Sequence, residues 1–187
     1  SSLDKNEWKE IYKKLIYWEL ELEKSEDESV EDILAMQKTE ANSQFFKFIK
    51  KNYKEWINGE NAPLLSHNLF RKKVLPIMDE KIPTYLIVID NLRYDQWKII
   101  ETTIMKDFTL LKDEMYYSIL PTATQYARNS IFAGLMPSEI QKRFPNKWKN
   151  DEDEGGKNMF EEDFLVDQLQ RLGKGNCKYS YTKITNI

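Results

Sequence analysis

One cysteine, one histidine and no long apolar run are what this chain of 187 residues has least of. The lone Cys177 excludes an internal disulfide, and its place at the start of a predicted strand suits a small buried hydrophobe better than a nucleophile. The sole imidazole, His67, lies far ahead of the motifs described below and reads as a surface or capping residue rather than a metal ligand. No window approaches the roughly 20 apolar residues that a membrane span needs. No N-terminal stretch has the basic, apolar and small-residue order of a signal peptide, so the expected location is cytoplasmic, with no membrane partner. A net charge of −3 exerts no overall pull on nucleic acid or anionic lipid.

What is present suffices for one sizeable core and a small second one: 41% of the residues are hydrophobic and 13% aromatic. The first part reads as helices. Asp4 is placed as an N-cap with Glu7 reaching back to it, and Trp8, Ile11, Tyr12, Leu15, Ile16 and Leu22 recur at helical spacing. An acidic loop, Glu23 to Glu28, is expected next. Ser29 is read as the cap of a second helix running down to Gly59, about 40 Å long at ~1.5 Å per residue. A third is expected from near Ser66 to the break at Pro76. Together they predict an antiparallel three-helix bundle over residues 1–80. Trp18 and Phe46 fall off the main stripes; exposed, they would suit a docking or homodimer surface.

The chemistry concentrates between Thr84 and Pro145. Tyr85 to Ile89 is an uninterrupted apolar, largely β-branched run, predicted as a strand buried on both faces and ending at Asp90. Helical spacing follows (Tyr94, Trp97, Ile100, Ile104), then a second predicted strand, Met115 to Leu120, and the segment Pro121-Thr122-Ala123-Thr124. This reads as a βαβ unit, whose parallel strands end at one sheet edge and bring Asp90 and Thr124 to one cleft. Thr124 is read as the N-cap of the next helix, where free N–H groups and the positive end of a dipole suit an anion. A carboxylate able to hold a metal beside a hydroxyl at a helix start suits phosphoryl chemistry. Each residue also has a plain structural reading: Asp90 and Thr124 as caps, Arg128 as a surface charge, Arg93 and Asp95 as partners of one another or of Arg128. Beyond lie a polar loop, Asn146 to Lys157, an amphipathic helix from Phe160 to Leu172 ended by Gly173, and a third predicted strand, Cys177 to Tyr181.

The pairing of V-I-D-N-L-R-Y-D, Val88 to Asp95, with P-T-A-T-Q-Y-A-R-N-S-I-F-A-G-L-M-P, Pro121 to Pro137, resembles the PglZ domain of the alkaline phosphatase superfamily. The preceding helical region is similar to the segment joining receiver and PglZ domains in PorX-type response regulators of Bacteroidetes. The resemblance implies an α/β fold: a helical bundle, then a partial alkaline-phosphatase-like parallel sheet with flanking helices, residues 81–187 being the N-terminal part of that domain. It further implies a metal-dependent phosphoesterase module of a two-component system, with two zinc ions in the full-length protein. Thr124 would be the nucleophile and a metal ligand, Asp90 a metal ligand, and Arg93, Asp95, Arg128 and Asn129 substrate contacts. The family's remaining ligands, histidines and aspartates, are expected beyond Ile187, so these residues alone hold part of the site. The implied partners are a phosphoester substrate, nucleic acid only in that capacity, an upstream receiver domain and a second copy joined through the bundle. The alternative is a signalling module that uses a phosphatase-like fold for docking without chemistry.

Overall fold

A computed structural model describes residues 3–24 and 28–184, and the statements below concern those residues. The middle of the expected acidic loop, 25–27, lies outside them, as does the side chain of Ser29. The chain divides into two compact units, Ser1–Pro63 with Ile89–Met115, and Leu64–Val88 with Tyr116–Ile187.

In the first unit, α1 (Lys5–Leu22) and α2 (Glu28–Ile57) form a hairpin. The start of α1 follows from local chemistry. Asp4 accepts from the N–H groups of Asn6 and Glu7 at 2.7 and 2.8 Å, and Glu7 Oε2 accepts from Asp4 N at 2.6 Å, closing a capping box. Trp8 is buried against Phe45 and Phe48, with ring centroids 5.3 and 6.0 Å away, and Phe48 meets Trp56 at 5.5 Å. Lys38 pairs with Glu19 across the helices. Trp18 and Phe46, off the buried stripes, are 56% and 64% exposed. The third helix of this unit is α3 (Tyr94–Ile104), which packs on α1 with Tyr94 6.1 Å from Tyr12.

The second unit is built on α4 (Thr124–Ala133), α5 (Pro137–Arg143) and α6 (Glu161–Arg171). One core joins Phe132, Ala133, Ile140, Trp148 and Phe164, and a smaller one Phe70, Val74 and Leu169, with Cys177 packed against it. Gly134 ends α4 at φ 61°, and a Cβ there would lie 2.0 Å from Gln168 Oε1. Gln168 occupies that space because its Nε2 donates to the carbonyls of Ile131 and Phe132 at 3.0 and 2.7 Å, closing the helix end.

The expected α/β architecture is overturned: the described residues are helical and irregular, with no strand and no sheet. Tyr85–Ile89 forms no strand, and Tyr85 is 83%, Ile87 78% and Ile89 55% exposed. An extended segment becomes a strand only when a neighbour takes up its N–H and C=O groups, and no described segment does so here. Met115–Leu120 retains the alternation of a strand, with Tyr117 and Ile119 buried, but makes one parallel bridge, Tyr117 to Leu65. Its tether is Tyr117 N to Leu64 O at 2.9 Å and Ile119 N to Ser66 Oγ at 3.1 Å. Residues 177–181 are likewise irregular. The third helix of the expected bundle is also corrected: Ser66–Asn68 and Leu75–Ile77 are 3-10 turns, Phe70–Val74 is a short π turn, and all belong to the second unit. Pro76 removes a donor within that stretch, so a regular helix cannot run through it.

Candidate functional site

The first turn of α4 carries the hydroxyl singled out from the sequence. Ala123, with φ −56° and ψ 143°, is the N-cap, so Thr124 is the first helical residue and not the cap. The carbonyl of Ala123 accepts from Tyr126 and Ala127 at 2.9 and 3.0 Å. The first N–H groups of the helix precede these bonds and lie at the positive end of its dipole. Thr124 is half-buried beside them.

A polar network fixes this turn. Asn158 Nδ2 donates to the Thr124 carbonyl at 3.3 Å and to Asn129 Oδ1 at 2.9 Å, while Asn129 Nδ2 donates to the Lys157 carbonyl at 3.1 Å. Asn129 is buried, and both ends of its amide are engaged within the protein. Arg128, four residues beyond Thr124 and on the same helix face, donates through Nε to Glu161. Glu161 is only 2% exposed and also takes Tyr181 Oη at 2.9 Å and Lys183 Nζ at 3.1 Å. Burial, followed by the hydrogen bond to Glu161, pushes the Tyr181 phenol up to about 12.

The other sequence-derived residues lie in the first unit. Asp90 is exposed in a turn that continues into Asn91 at φ 57°, a conformation asparagine tolerates. Arg93 and Asp95 pair through two bonds, Nε to Oδ1 at 3.0 Å and Nη2 to Oδ2 at 2.6 Å, at the head of α3. Asp90, Arg93 and Asp95 therefore belong to one compact unit, and Thr124, Arg128 and Asn129 to the other.

His67 is neither a free surface group nor a neighbour of Thr124. It is half-buried and lines a cavity of about 240 Å³ with Arg71, Gly134, Gln168 and Arg171, at the opposite end of α4. Burial lowers its pKa. Among the described residues no group of three or more His, Cys, Asp or Glu side chains could hold a metal ion. The residues present thus do not by themselves make a metal shell.

Sequence reasoning missed Glu161, Asn158, Tyr181 and Lys183. Glu161 reads in sequence as a first-turn acid of a predicted helix, which is also its place in α6. Nothing local marks it as the partner of a residue 33 positions earlier.

A response-regulator linker followed by an alkaline phosphatase-like domain is the class this arrangement falls into. Residues 1–57 match the PorX response regulator linker domain, and residues 69–183 match the BREX system PglZ alkaline phosphatase-like domain. The second match spans most of the chain, which belongs to the PglZ alkaline phosphatase-like family. No curated protein matches. Among the described residues, no helix is long and apolar enough to cross a membrane.

Proposed function

We propose that the chain is part of a phosphoesterase module in a response regulator, with Thr124 as nucleophile. The observation that carries this reading is Thr124 on the first turn of α4, tied down through Asn158 and four residues ahead of Arg128, in a chain of the PglZ family. Thr124 Oγ attacks phosphorus in line, the bond from phosphorus to the alcohol oxygen breaks, and the hydroxyl proton ends on the departing alcohol. Water then cleaves the phosphothreonine, restoring the hydroxyl and releasing the phosphate product. The N–H groups at the head of α4 and the Arg128 guanidinium favour the negative charge that develops. Asn129 holds the loop at Lys157 and Asn158 against the helix.

Metal use is general to alkaline phosphatase-like domains, and zinc is the ion proposed, because carboxylate and imidazole ligands suit it; when bound it supplies Lewis-acid chemistry. Thr124 is the metal ligand proposed in the second unit and Asp90 the one proposed in the first, where Arg93 and Asp95 brace the Asp90 turn or meet substrate. The described residues make no such shell alone, so no step above runs through the metal. Residues 1–57 act as the arm that couples the module to a receiver domain, with pairing of two copies through that arm. The cytoplasm is the proposed compartment.

The absence of a metal grouping among the described residues, together with the full internal engagement of Asn129, favours a second reading: a docking module of the same family that performs no chemistry. One experiment separates them. Zinc content and hydrolysis of a generic phosphodiester are measured on the full-length protein and on Thr124→Ala. Stoichiometric zinc, with hydrolysis abolished by the substitution, is the expected result. Hydrolysis unchanged by it removes Thr124 from the mechanism, and a protein with no zinc and no hydrolysis favours the docking reading.

A further inference from the structure

We propose that Glu161 is a positioning residue, which holds the Arg128 guanidinium in register with Thr124 so that it can grip a phosphate; the proposal rests on the reading of Thr124 as nucleophile. A carboxylate only 2% exposed is costly to bury unless it is fully engaged, and Glu161 has three partners: Arg128 Nε, Lys183 Nζ at 3.1 Å and Tyr181 Oη at 2.9 Å. The partners come from two separate segments, Arg128 from α4 and Tyr181 and Lys183 from the tail, so with Glu161 at the start of α6 the cluster is a joint between three segments. Two cations on one carboxylate leave the joint with a surplus positive charge.

The same joint reaches the nucleophile's turn by a second route. Lys183 Nζ donates to the Asn158 carbonyl at 2.5 Å, and Asn158 Nδ2 donates to the Thr124 carbonyl at 3.3 Å. Tyr181 is itself seated by its ring, edge-on to Phe132 at 6.0 Å. Glu161 thus fixes a cation on the Thr124 face of α4, and the tail that holds Glu161 also fixes the backbone of Thr124. A side chain that orients a charged group by a buried, charge-assisted hydrogen bond sets its geometry more than its charge.

That distinction gives the test a sign. If Glu161 acted only through its charge, Glu161→Gln would remove a negative group from the neighbourhood and tighten anion binding. If it positions Arg128, the same change loosens it. Full-length protein, its fold checked by circular dichroism, is titrated calorimetrically with inorganic phosphate, and kcat and KM are measured for a generic phosphodiester. Glu161→Gln is expected to weaken phosphate binding about tenfold and to raise KM by a similar factor, with a smaller change in kcat. Glu161→Asp restores part of the loss. Tyr181→Phe, which leaves the charge pair intact and keeps the question open should Glu161→Gln not fold, gives a weakening of about twofold to threefold in the same direction. Phosphate affinity in these variants equal to or tighter than that of the unaltered protein, or no phosphate binding by the unaltered protein, overturns the proposal. Hydrolysis by Thr124→Ala at the normal rate instead defeats the nucleophile reading, whatever the phosphate titrations give.

Discussion

The side chains that organise the second unit are those whose hydrogen-bonding groups have been taken from water and fully repaid by protein partners. Glu161 is the clearest of them. Its phenol partner gives it a spectroscopic handle: Tyr181 is raised from 10.0 to about 12. The stability linked to the neutral phenol is therefore complete below pH 10.0 and is lost as the pH rises toward 12. Alkaline difference absorbance is expected to show a phenol ionising near pH 12 that disappears in Tyr181→Phe. His67 works in the opposite sense. Burial, the largest influence, depresses its pKa below 6.5, with Lys72 adding to the depression and Glu139 opposing it. The unfolded chain takes up the proton first, so the contribution of the neutral ring is complete above pH 6.5 and is lost as acid brings the pH through the lower folded value. Denaturation between pH 7 and 5 is expected to show less loss of stability in His67→Gln than in the unaltered chain. Neither environment was legible in the sequence, because burial and partners arrive from segments distant along the chain. The Arg93–Asp95 pair was legible: its two members are two residues apart and could meet without help from the fold.

Helix ends follow the same division between local and distant causes. The start of α1 could be read directly, since Asp4 and Glu7 satisfy one another within one turn. The body of the helix from 160 to 172 and its stop at Gly173 could be read from apolar spacing and a glycine, and α6 ends there with Gly173 at φ 73°. The end of α4 depends on something the spacing does not carry, the Gln168 amide reaching two carbonyls from the next helix layer. Gly134→Ala would place a methyl group where Gln168 sits and force a left-handed backbone on a residue with a Cβ. The expected cost is roughly 2 kcal/mol in chemical denaturation. Gln168→Ala leaves the carbonyls of Ile131 and Phe132 without their donor and is expected to cost about 1–3 kcal/mol. The predicted strands failed for a stated reason. Apolar and β-branched content describes what fits a sheet, but a strand exists only with a neighbour, and Tyr85–Ile89 has none among the described residues.

For the molecule as a whole, the two motifs that carried the family resemblance fall in different compact units, Val88–Asp95 mostly in the first and Pro121–Pro137 in the second. The family itself was legible, because the spacing of residues within each motif is a property of the chain, and the match over residues 69–183 bears this out. The partial parallel sheet expected from that resemblance is absent among the described residues, because pairing between strands is a property of the assembled fold and not of apolar runs. In chain order the linker match over residues 1–57 precedes the phosphatase-like match over residues 69–183. Everything proposed about chemistry converges on the hydroxyl at the head of α4. Full-length protein incubated with a phosphodiester, quenched in acid and digested, should yield the peptide around Thr124 carrying on that threonine the phosphoryl group with the one ester the substrate retains, with the modified species absent from Thr124→Ala treated alike. Steady hydrolysis with no phosphate ever trapped on that peptide, and an undiminished rate in Thr124→Ala, would contradict the account.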